Sequence, residues 1–161
     1  MRFRALLIIN ALLMGCISDM IPQRLDPPPP TIYIFVADPQ ISEYITFFIL
    51  RETRRDYPEF TVLAGLGDGY NLVVLPRSWS TGKPRDDYGG LAWPEHRYAE
   101  IYTDWLAEAA QDDPDGVALC LSNIVGHEMG HLLHQQHVDD PAKLMHETAD
   151  ILRCTTINRE R

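Results

Sequence analysis

His127-Glu128-Met129-Gly130-His131-Leu132-Leu133-His134-Gln135-Gln136-His137 is the stretch on which the reading of this chain turns. Two histidines four residues apart lie on one helical face, near enough to share a metal ion. Glu128 follows the first of them, placed to take a proton from a water on that metal. Zinc suits such donors: it accepts imidazole nitrogen, polarises a carbonyl and lowers the pKa of its water toward neutrality. Two histidines and a glutamate at this spacing also arise by chance. Here, however, His137 follows six residues after His131, past where the helix can stay regular, and Met145 comes eight residues later.

The run from His127 to His137 resembles the long pattern of the metzincin zinc endopeptidases, HExxHxxGxxH, with His134 where the family has glycine. Val138-Asp139-Asp140-Pro141-Ala142-Lys143-Leu144-Met145 resembles the metzincin Met-turn at matrixin spacing, and Gly89-Gly90-Leu91-Ala92 resembles the matrixin edge strand. The resemblance implies an α+β, zincin-like fold: a twisted five-stranded mixed sheet, an active-site helix and a short C-terminal subdomain. It implies one catalytic zinc on His127, His131 and His137, with Glu128 as general base for cleaving an extended peptide or protein substrate. Met145 would floor the zinc site, a role that coincides with plain core packing. Gly90, Leu91, Ala92 and Trp93 would pair with substrate backbone as an added strand. His146 either lines the pocket for the residue after the scissile bond or is a plain surface histidine.

His134 raises a competing assignment, because in a continuing helix it would face the same side as the first two histidines. Three imidazoles arriving from one side of a straight helix cannot easily surround a tetrahedral ion. His137 is therefore assigned as the ligand and His134 as the hinge, since histidine is among the residues that best tolerate positive φ. Other departures bear on the site. Glu147 stands where some metzincins place tyrosine. Only His96 lies upstream of the helix, so a second, structural zinc is not expected. Asp68, Asp86 and Asp87 form no recognised calcium array, and Asp26 is either a solvated linker residue or a group that folds back on the metal. If strain at His134 spoils the site, the alternative is a catalytically impaired module that only holds peptide. A zinc-stabilised structural protein would need a fourth protein ligand.

Outward from the motif, the expected order is strand, helix, four strands, helix. Thr31 to Ala37 is β-branched and aromatic, and Ile41 to Asp56 carries apolar residues at helical spacing with arginines toward its C-terminal end. Phe60 to Ala64 and Tyr70 to Leu75 read as strands around a glycine-rich turn at Gly65–Gly69. Gly89 to Pro94 reads as a short strand at a sheet edge, stopped by proline. Arg97 to Thr103 reads as a fifth strand, and a long helix is expected from about Val117 to Leu133, with Asp115 as its cap.

Residues 1–15 read as a signal peptide: Arg2 and Arg4 precede an apolar run, Ala5 to Met14, that is too short to span a bilayer. Leu13-Met14-Gly15-Cys16 resembles a bacterial lipobox, which would lipidate Cys16; the alternative is an ordinary signal peptide with Cys16 incidental. Lipidation implies an exported envelope protein, held at the outer membrane by that lipid, and ordinary cleavage a secreted one. Residues 16–30 form a proline-rich linker, and 31–161 the catalytic domain, expected to be a monomer. Cys120 and Cys154 are then left as an even pair in a compartment that permits a disulfide, or remain buried thiols. The formal charge of −9 argues against nucleic acid as a partner.

Overall fold

Ile32 and Ile34 point inward and alternate with Tyr33 and Phe35, so Thr31–Val36 forms strand β1 with one buried face. The computed structural model describes residues 30–82, 89–104, 113–139 and 144–145. Within them the other strands are β2 (Thr61–Ala64), β3 (Tyr70–Leu75), β4 (Gly90–Trp93) and β5 (Tyr98–Tyr102). The helices are α1 (Glu43–Asp56) and α2 (Pro114–Leu132). This is the order the sequence predicts, and the elements form an α+β fold. The sheet runs β2-β1-β3-β5-β4, with β4 antiparallel to β5 and every other pair parallel. The leader, the linker before Pro30, Asp26, Asp86, Asp87, Cys16, Cys154, His146 and the C-terminal subdomain lie outside the described residues.

Each helix starts on a side-chain cap. The Ser42 hydroxyl accepts the Ile45 N–H at 3.3 Å, and Arg54 and Arg55 fill the last turn of α1. For α2 the expected cap was Asp115, and the structure corrects it to Asp113, whose carboxylate accepts the Asp115 N–H at 3.1 Å. Pro114 then takes the first helical position, where its fixed φ suits the helix and its missing N–H is not needed. The helix therefore begins three residues before Val117.

Ile32, Ile34, Leu72, Val74, Ala99 and Ile101 from the sheet meet Ile45 and Ile49 of α1 and Leu121, Val125 and Met129 of α2. Each such burial is worth roughly 1.5–3 kcal/mol, which makes this layer the chief support of α2. The Tyr57 hydroxyl donates to the Gly126 carbonyl at 2.7 Å, locking the end of α1 against the middle of α2. At the glycine-rich turn, Gly65 has φ 111°, and the Asn71 amide bonds Gly67 and Gly69. β4 ends at Pro94, which opens a single 3-10 turn. Arg97, with φ 50°, then reverses the chain into β5. β4 is thereby the terminal strand of the sheet, packed beside α2.

Candidate metal centre

Three histidines converge at the end of α2. The Nε2 atoms of His127 and His131 lie 3.0 Å apart, as do those of His131 and His137. One ring nitrogen from each falls within 4.8 Å of the others, and this is the one such group among the described residues. The chain brings His137 back by ending the helix abruptly. Leu133 is the C-cap, His134 takes φ 60°, and two bonds close the turn. His134 N–H donates to His131 O and Gln135 N–H to Gly130 O, both at 2.9 Å. That is a Schellman arrangement with histidine in the left-handed position glycine usually takes.

Two backbone carbonyls decide which ring nitrogens are available. His127 Nδ1 lies 2.7 Å from the Leu144 carbonyl, and His131 Nδ1 lies 3.3 Å from that of Gln135. A carbonyl only accepts, so each Nδ1 carries the proton and each Nε2 presents a lone pair. Lone pairs facing one another at 3.0 Å repel unless a cation lies between them. Ligands on a tetrahedral zinc, at its usual bond length to imidazole nitrogen, stand about 3.3 Å apart. The donor set therefore fits zinc. Carbonyl acceptors on the far ring nitrogen are also how metal-binding histidines are generally oriented. Burial first, then the charge of His137, holds the His131 imidazole below its ordinary pKa, in the neutral form that binds metal. Among the described residues there are three protein donors, which match a site with an open position.

Leu144 reaches His127 because α2 has two glycines on that flank. A Cβ at Gly126 would lie 2.9 Å from Leu144 Cδ2, and one at Gly130 would lie 2.2 Å from Met145 Sδ. Met145 is buried, and its carbonyl accepts the Val138 N–H at 3.0 Å. The Leu144–Met145 segment is thus seated directly on the helix backbone and tied to the segment carrying His137. Gly126, Gly130 and the Leu144 carbonyl were not singled out from the sequence. The pair of glycines four apart was the available signal.

Glu128 is 6% exposed, and burial pushes its carboxyl up to about 8. Its side chain lies against Gly90 of β4. The edge residues Gly90, Leu91, Ala92 and Trp93 are all partly exposed. Trp93 rests on its cross-strand partner Tyr98, ring centroids 5.7 Å apart.

A second buried carboxylate steadies this edge. Glu100 on β5 accepts hydrogen bonds from Ser80 Oγ, from Thr81 N–H at 3.1 Å and Oγ1 at 2.7 Å, and from the Tyr98 and Tyr102 hydroxyls at 3.2 and 3.1 Å. Burial would raise its pKa, but these donors outweigh burial and hold it below the ordinary carboxylate value. Tyr98 and Tyr102 are both pushed up to about 12, by burial first and also by the Glu100 charge. The segment held by Glu100 packs at Gly82 against Leu91 and Trp93.

No family model matches the sequence, and no curated protein does. Among solved structures, the chain is similar to a zinc-dependent peptidase from Methanocorpusculum labreanum (strain Z). The two are 17% identical with a TM-score of 0.59, over 79% of this chain and 96% of that one. The likeness is one of fold.

Proposed function

We propose that the protein is a zinc-dependent endopeptidase that cuts extended polypeptide. The observation that carries this reading is the convergence of three Nε2 atoms at the end of α2, next to a buried glutamate that lies against a sheet edge. His127, His131 and His137 would hold the ion. Zinc, when bound, supplies Lewis acidity toward a carbonyl and toward water. Glu128 acts as the general base for the attacking water. The backbone of Gly90–Trp93 aligns the peptide as an added strand. Met145 floors the site.

A module that only holds peptide was the alternative, on the ground of strain at His134. The turn there is formed with both of its bonds, which supports the enzymatic reading. Export, lipidation at Cys16 and a monomeric state complete the proposal. Metal analysis and casein cleavage test it on wild type and Glu128→Ala. Both proteins should bind about one zinc per chain, the count expected of a single three-ligand site. The variant should turn over roughly 10²–10⁴ times more slowly. Folded wild type without zinc, or a variant as fast as wild type, would sink the reading.

A further inference from the structure

β4 passes Glu128 at Gly90, and a side chain there would have to displace that of Glu128. A Cβ at Gly90 would lie 2.6 Å from Glu128 Oε1, 2.7 Å from its Cγ and 2.8 Å from its Cδ. The backbone does not require glycine: Gly65 is the one glycine of positive φ among the described residues. What requires it is the carboxylate. Of the two partners, the Glu128 side chain is the one that would have to give way. Glu128 is buried on α2, among residues that pack against the sheet. β4 is held in register on β5, Gly90 opposite Ile101, and is backed through Leu91 and Trp93 by Gly82.

The histidines are anchored independently of this contact. His127 and His131 are oriented by the Leu144 and Gln135 carbonyls, and His137 enters through the turn at His134. Displacing the Glu128 carboxylate would therefore leave the three imidazoles where they are.

We propose that Gly90 is a positioning residue: its bare backbone fixes where the Glu128 carboxylate stands relative to the three histidines. The strand that aligns the peptide thereby also sets the place of the base. This rests on the reading of Glu128 as base, and it adds to the backbone pairing expected of Gly90.

The test is a double-mutant cycle on the full chain. Gly90→Ala is made in the wild type and in the Glu128→Ala and Glu128→Gln backgrounds, with urea midpoint and zinc content measured for each protein. Gly90→Ala should lower the midpoint in the wild type and in the Glu128→Gln background, where the side chain keeps its size. It should leave the midpoint unchanged in the Glu128→Ala background, where the added methyl occupies vacated space. In the peptidase assay, Gly90→Ala alone should lower kcat by about 10²-fold, as expected when a reacting group is displaced by about 1 Å. KM and zinc content should hold.

Equal midpoint losses in all backgrounds, or a raised KM with kcat unchanged, would overturn the proposal. If Gly90→Ala alone does not fold, recovery of folded protein on adding Glu128→Ala supports it, and failure of both variants refutes it. Failure of the peptidase reading is distinguishable, because wild type would then bind no zinc and cleave nothing whatever the midpoints show.

Discussion

At His134 the backbone turns left-handed, with φ 60°, and a branched or bulky residue there would suffer more than histidine does. The strain is local, on the order of 1 kcal/mol, and it is what swings His137 back to the other two imidazoles. His134→Gly should therefore raise stability by about 1 kcal/mol in urea unfolding and leave zinc affinity intact. His137→Ala should abolish tight zinc binding in a calorimetric titration. If the glycine variant loses zinc and the alanine variant keeps it, the two histidines have exchanged roles. The hinge was legible in sequence because its displacement of glycine stands out against fixed neighbours. The Leu144 carbonyl was not, because any residue type can offer a backbone oxygen. Gly126 and Gly130 were readable as a flat patch on the helix, but only a segment distant in sequence reveals what sits on it.

Among the elements, β4 depends on a support that strand patterning does not announce. Glu100 lies in an otherwise apolar central strand, and its donors come from the segment after β3 and from both strand-mates of β5. Strand patterning gives no sign of its burial, because the Ser80–Thr81 segment that binds it comes from elsewhere in the chain. Because its folded pKa is depressed, its stabilising contribution is full above the ordinary carboxylate range and is lost as pH falls through the folded value. Glu100→Gln, which exchanges an acceptor for a donor facing other donors, should cost about 1–3 kcal/mol at neutral pH. It should also speed proteolysis near Ser80 and Thr81. A neutral-pH urea midpoint equal to wild type would contradict this. A second restraint is proposed for α2, where Cys120 is buried and Cys154 lies outside the described residues. Bonded, the pair should contribute roughly 3–4 kcal/mol in the chain-entropy model, lost on reduction. Peptide mapping that finds two free thiols in exported protein would rule the bond out.

For the molecule as a whole, fold and metal should be coupled, because the three donors come from α2 and from the chain beyond it. A chelator should lower Tm and zinc should restore it, by an amount that grows with the logarithm of free zinc. The direction with pH follows from the imidazoles: only the neutral form binds metal, so zinc affinity should fall as pH drops through about 6. Scanning calorimetry with and without chelator at two pH values measures both effects. A Tm indifferent to chelator would separate the metal from the fold.

The sheet has a second border, at β2, and its chemistry differs from that at β4. β2 is four residues long, and the Arg54 guanidinium donates to its Val62 carbonyl through Nε at 3.3 Å and through a terminal nitrogen at 2.9 Å. A strand whose outward acceptor is already occupied makes a poor template for another chain. Strand addition at that carbonyl is thereby discouraged, on the border opposite β4. If a peptide adds as a strand at β4, as proposed, that one arginine works against the same mode of binding at the opposite border.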